Sequence, residues 1–197
     1  MTFKELERLP VLKQWFEMFR SLTDLPFHLV DRNQNISRHF PEPPDRHEFC
    51  RLIQRLPEGR RRCYASACKA GIESARSVRP YIYPCHAGLM DIAVPVISQG
   101  ACIGFLCSGR ILMRRPTPDR LVRLSREWRE LGGDAARMRR AFLAMPLMSS
   151  AKVRQIARFL QFAITYILDM EDKTAFLSRH LAKYDPVEKA RELVRTR

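Results

Sequence analysis

The stretch that decides the reading is Tyr81-Ile82-Tyr83-Pro84-Cys85-His86-Ala87-Gly88-Leu89-Met90-Asp91-Ile92-Ala93-Val94-Pro95-Val96-Ile97. It sets Cys85 beside His86, puts a glycine at 88, and places Asp91 at the entrance to an apolar run. A short turn, Ser98-Gln99-Gly100, and a second apolar run from Ala101 to Leu106 follow. Two β-rich runs about a glycine turn predict an antiparallel hairpin. Polar and sulfur groups at the mouth of such a hairpin predict a pocket with a sheet for its floor. Tyr81 and Tyr83 share a strand face, either as pocket lining or as half-buried strand residues.

The same stretch resembles the signature of the PocR sensory domain, a bacterial PAS-like ligand-binding module. The family's C-H-x-G-L-x-D segment is matched by Cys85 to Asp91, and its x-P-I by Pro95-Val96. Its closing G-x-L-x-x-G-Q is matched by Gly104 and Ser108-Gly109-Arg110. Upstream, Glu48-Phe49-Cys50-Arg51-Leu52-Ile53 and Pro57-Glu58-Gly59-Arg60-Arg61-Arg62-Cys63 resemble the family's FC-x-L-I and R-x-C blocks. The resemblance covers roughly residues 5 to 170. Arg110 stands where the family usually has Gln, and Ala67 where it often has Asp, so this member's ligand is expected to differ. The resemblance implies an α+β fold with a PAS-like antiparallel sheet flanked by helices and a long C-terminal helix. It also implies a low-molecular-weight hydrocarbon derivative, such as a short diol or polyol, as ligand. The candidate ligand-binding residues are Cys50, Cys63, Tyr83, Cys85, His86, Asp91 and Arg110.

At 197 residues the chain suits one domain plus an appendage. A hydrophobic content of 46% argues against disorder. Thirty-five basic residues against 21 acidic ones leave a formal charge of +14, which points to a polyanion such as nucleic acid or to a basic surface without a dedicated partner. The opening Met1-Thr2-Phe3-Lys4-Glu5-Leu6-Glu7 is charged and lacks the apolar core of a signal peptide, and the longest apolar run is far short of a membrane span. The expected compartment is the cytoplasm, where six cysteines are reduced thiols or ligands rather than a disulfide framework.

Before the hairpin, Leu6, Leu9, Leu12, Phe16 and Phe19 mark one helical face, with Pro10 breaking it or opening a second helix. Leu25 to Val30 predicts a strand, residues 31–35 a turn, and Ile36 the start of a partner strand. A short helix around His47 to Leu56 is expected to end at Pro57-Glu58-Gly59. A second, from about Arg62 to Val78, turns Ile72 and Ala75 inward and stops before Pro80. After the hairpin, Leu121, Leu124, Trp128 and Leu131 outline a helix stopped by Gly132-Gly133. From Ser149-Ser150 a long helix runs beyond residue 170, with a stripe of Val153, Ile156, Leu160, Ile164 and Ile167 that is read as core or as a dimer seam. Asp185 and Pro186 cap a final segment to Val194 that resembles the opening helix of an AraC-type DNA-binding domain. The expected organisation is a sensing domain over 1–170 and a helical linker over 171–197 that leads into a truncated DNA-binding domain.

Neighbouring residues on a strand point to opposite faces, so Cys85 and His86 do not form a nucleophile–base pair unless the backbone turns there. Cys50, Cys63 and Cys85, with Cys68 nearby, are alternatively ligands for zinc or an iron–sulfur cluster, although none lies in a CxxC. Buried thiols acting as small apolar groups are the other reading, and Cys102 and Cys107 are assigned to the core. Arg60, Arg61 and Arg62 near a helix start call for an anion or for local relief from Glu58. Asp91 is a hydrogen-bond acceptor for a hydroxylated ligand or a partner for Arg110. The leading reading is a non-enzymatic sensor domain of a transcription regulator, expected as a homodimer that reaches DNA through another domain. The second is a metal or redox sensor, and the third a nucleic-acid-binding protein in its own right.

Overall fold

The computed structural model describes residues 1–33, 35–37, 39 and 47–182, with side chains as far as 179. A short first helix, α1 (Phe3–Leu6), is followed by α2 (Pro10–Thr23), with Pro10 at the first helical position, where its missing N–H costs nothing. Then come β1 (Phe27–Asp31), α3 (Glu48–Arg55), α4 (Pro57–Ser77) and β2 (Tyr81–Pro84). The chain continues through β3 (Met90–Ser98), β4 (Ala101–Ile111), α5 (Pro118–Glu130), α6 (Ala135–Leu143) and α7 (Ser150–Ala182). The four strands form one antiparallel sheet in the order β1-β4-β3-β2. The β3–β4 hairpin turns at Gln99 (φ 50°) and Gly100 (φ 79°), the left-handed pair that suits the twist of a two-residue connection. Pro84 sits on an edge strand, where no inner ladder bond is lost.

Period-two alternation divides the strand residues between two faces. Phe27 and Leu29 of β1, Leu106 of β4, and Ile92, Val94 and Val96 of β3 pack against Leu12, Phe16 and Phe19 of α2. The stripe Val153, Ile156, Leu160, Ile164 and Ile167 of α7 completes this cluster. The stripe is therefore intramolecular core, and a dimer seam cannot be built from it. On the other face α4 crosses the sheet. It buries Gly59, Ala70, Gly71 and Ser74, while Ile72, expected inward, is exposed. The small residues bring the helix close: a Cβ on Gly71 would stand 3.2 Å from the Phe105 ring. A satellite core of Phe49, Trp128 and Phe142 ties α3, α5 and α6 together.

Several expectations shift. The helix expected from Arg62 starts at Pro57, because the extended Leu56 (ψ 126°) makes the break and Pro57 opens the next helix. Glu58 then lies in the first turn, where Arg61 and Arg62 each donate to it at 2.7 Å and pull its carboxyl down to about 2. The macrodipole and the arginines are reconciled locally. Ile36 makes an isolated bridge to Val30. Helix α6 has no counterpart among the expected elements: its buried apolar residues are only Met138, Ala141 and Phe142, set among arginines. The segment resembling a DNA-binding helix, Tyr184 to Val194, lies outside the described residues, and α7 runs unbroken across residue 170.

Candidate functional site

Two local devices shape the open face of the sheet. The first is the β2–β3 turn over residues 85–89. The Cys85 N–H donates to the Leu89 carbonyl at 2.7 Å, and the Gly88 N–H to the Cys85 carbonyl at 3.0 Å. Gly88 takes φ 94°, and a Cβ there would press on Leu124 at 3.1 Å. Arg120 of α5 clamps the turn by donating to the Gly88 carbonyl at 2.9 Å.

The second device is an irregularity in β4. The pairing register slips between Met90 and Asp91, which leaves Arg110 as the extra residue, with Gly109 at φ 140° and Arg110 at φ 62°. A Cβ on Gly109 would lie 2.5 Å from the Asp91 Cα, so only glycine fits opposite Asp91. The Arg110 backbone N–H donates to Asp91 Oδ1 at 2.6 Å, and its guanidinium Nη2 donates to His28 Nε2 at 3.0 Å. A guanidinium has no acceptor, so Nε2 accepts and the His28 ring proton is on Nδ1. The expected Asp91–Arg110 partnership thus includes a side-chain-to-backbone bond that holds the bulge.

Between this face and α3/α4 lies a cavity of about 380 Å³. From α4 it is lined by Cys63, Ala67 and Gly71, spaced four apart on one helical face, and by Cys68. Cys50 and Ile53 of α3 contribute, with Tyr83, Cys85, Leu89 and Asp91 from the first hairpin and His28, Phe105, Cys107 and Arg110 from the other strands. Six of the seven candidate residues (Cys50, Cys63, Tyr83, Cys85, Asp91 and Arg110) therefore reach one cavity. His86 does not. The backbone turn carries its ring onto Cys63, with Sγ and Nε2 3.1 Å apart. Cys107, assigned to the core from sequence, lines the cavity, because it alternates with Phe105 on the open face of β4. His28 and Gly71 also escape the sequence reading, although the alternation along β1 and the spacing of four from Cys63 and Ala67 carry the signal.

Cys63, Cys85 and Cys107 are thiols rather than thiolates. Burial pushes Cys63 up to about 11, with the Asp91 charge adding to it, and pushes Cys107 up to about 12. Burial likewise raises Cys85, and raises Tyr83 strongly. His86 is shifted down, first by burial and then by Arg62. Cys63 and His86 are a neutral hydrogen-bonded pair, not the thiolate–imidazolium of a cysteine nucleophile. None of the six cysteines is in a disulfide. Among the described residues no three Cys, His, Asp or Glu side chains are placed to share a metal ion. The donor set does not fit zinc or an iron–sulfur cluster.

Comparison with protein families matches residues 5–172 to the family described as "Sensory domain found in PocR". The chain belongs to the PocR sensory-domain family. A curated relative, the "Regulatory protein PocR" of Salmonella typhimurium strain LT2, is 38% identical over 63 residues. That match takes in 32% of this chain and 21% of the relative, so the chain covers about a fifth of that protein's length. No solved structure matches. Within the PocR pattern, the two departures seen in the sequence, Ala67 and Arg110, both line the cavity.

Proposed function

We propose that this chain is the sensing part of a bacterial transcription regulator, acting in the cytoplasm, and that it binds a small organic molecule of the hydrocarbon-derivative class between its sheet and α3/α4. The observation that carries the reading is the cavity itself: about 380 Å³, within the range of small-molecule sites, with apolar and sulfur walls and a polar cluster at Asp91, Arg110 and His28. Sensing is by binding alone, without a chemical step and without a metal or other cofactor. Residues 1–170 are the sensing domain, and residues 171–197 lead toward a DNA-binding domain.

The route to the output is short. Two residues beyond Arg110, the Leu112 N–H donates to the Pro146 carbonyl at 2.8 Å, and the Met148 N–H donates back to the Leu112 carbonyl at 2.9 Å. Residue 150 opens α7. A ligand that prefers one arrangement of the bulge shifts the population of α7 arrangements by its differential affinity for the two. Pairing of two copies uses the outward face of α7, where Phe162 is 68% and Tyr166 57% exposed, rather than the buried stripe. Phe162→Glu is expected to yield a folded monomer by light scattering, and an unchanged oligomer would refute that surface.

The direct test of the sensor reading is thermal denaturation of wild type, Asp91→Asn and Arg110→Gln against a panel of short diols and polyols. Saturating ligand at a hundredfold excess over Kd adds about 2.7 kcal/mol of stability. Arg110→Gln, which restores the usual family residue, is expected to change which compounds stabilise, and Asp91→Asn to weaken all of them. Identical responses in all three proteins would place the ligand elsewhere.

A further inference from the structure

The sensor reading leaves the ligand's shape open. The cavity walls narrow it, and the class of molecule they select for this same site rests on that reading. Size is the first constraint. An engineered cavity of about 150 Å³ lined by aliphatic and aromatic side chains accepts a benzene ring. A void of about 380 Å³ has room for a ring with a substituent. A three-carbon diol would leave most of that space to water held against apolar walls.

Wall chemistry is the second constraint. Five of the chain's six cysteines, Cys50, Cys63, Cys68, Cys85 and Cys107, line this one cavity. Uncharged sulfur is soft, polarizable surface that packs well against aromatic rings. Phe105 is held in place by the close approach of Gly71, 3.2 Å from its ring to where a Cβ would stand, and presents an aromatic wall from the sheet. The third constraint is the placement of polarity. Asp91, Arg110 and His28 are joined in a single hydrogen-bonded group that concentrates charge at one end of the site, while Gln54, Arg60, Tyr64, Ser66 and Tyr83 add scattered polar atoms to walls that are otherwise apolar and sulfur-bearing. A polyol would need partners along its whole length.

We infer that the ligand is an aryl compound with a short hydroxylated head, the ring seated among the cysteines and Phe105 and the head directed at Asp91. The test is calorimetric titration of the 197-residue chain with three glycols that share one diol head: propylene glycol, cyclohexylethylene glycol and styrene glycol. Styrene glycol is expected to bind about tenfold or more tighter than propylene glycol, and several-fold tighter than its cyclohexyl analogue. Two filled-cavity variants, Ala67→Trp from α4 and Cys107→Phe from β4, should abolish that binding; the second serves if the first does not fold.

Equal affinity for the cyclohexyl and phenyl compounds would overturn the aryl assignment. Propylene glycol binding as tightly as styrene glycol, and lost in a filled variant, would overturn the ring while leaving the sensor reading intact. Absence of heat from every glycol also overturns the ring. Styrene glycol binding that survives both fillings would remove the cavity as the site, and the sensor reading with it.

Discussion

The two faces of the sheet are made from alternate residues of the same strands, yet one is closed and the other is open. Toward α2 and α7 the strands present Phe, Leu, Ile and Val in a continuous core in which Leu106, Ile92 and Leu160 are fully buried. Toward α4 the same strands present His28, Phe105, Cys107 and Asp91, opposed by a helix whose facing residues are Cys63, Ala67 and Gly71. Large branched side chains interdigitate and exclude space, whereas small and sulfur-bearing ones opposed across a sheet leave it. The difference teaches that a packed face and a hollow one are separated in this domain by strand parity and by the size of the side chains that oppose each.

The largest contrast to test is between side-chain truncations on the two faces. Leu160→Ala on the closed face should cost about 2–5 kcal/mol in urea denaturation, since it leaves a void in close-packed surroundings. Cys68→Ala on the open face should cost less than about 1 kcal/mol, because its sulfur already borders empty space. Comparable losses at the two sites would break the distinction. Next in size is Gly109→Ala, which forces a side chain into φ 140° and onto the Asp91 Cα. A loss of about 1–3 kcal/mol is expected, together with the ligand response. A neutral outcome would mean that the bulge relaxes easily and does not set the cavity wall.

A third effect concerns pH. Cys63 and Cys107 are raised from 9.0 to about 11 and about 12 by burial. The folded state therefore holds these protons more tightly than the unfolded state does. Their contribution to stability is fully present below about pH 9, falls as pH rises through the window up to about 11 to 12, and levels off above it. Cys107→Ala should flatten part of that slope in denaturation midpoints measured from about pH 8 to 11. A midpoint that rises across that range would contradict the burial of these thiols.

Much of this is legible in the sequence. The Tyr81–Ile97 stretch carries the hairpin, and the resemblance of the Cys50, Cys63 and Cys85 blocks brings together side chains from α3, α4 and the β2–β3 turn. What escapes has physical reasons. Sequence places His86 in the site because adjacency says nothing about how a turn rotates a side chain, and the turn sends it to Cys63. It places Cys107 in the core because that residue lies outside the motif blocks, and nothing in the sequence says that its face of β4 is left unfilled. Hydrophobicity points Ile72 inward on α4, whereas close approach to Phe105 demands Gly71 there. The α7 stripe is periodic enough for either a seam or a core, and only the packing of Leu160 under the sheet separates the two.

The central claim is that occupancy of the open face is felt at the start of α7. Amide hydrogen exchange of the chain, with and without the tightest-binding glycol at saturation, tests it most directly. Slowed exchange is predicted at residues 85–89 and 109–112, continuing into 146–153, with the buried middle of α7 unchanged. Protection that spared residues 85–89 and 109–112 altogether would contradict the site. Protection confined to the cavity wall, with residues 146–153 exchanging as in the ligand-free protein, would contradict the relay.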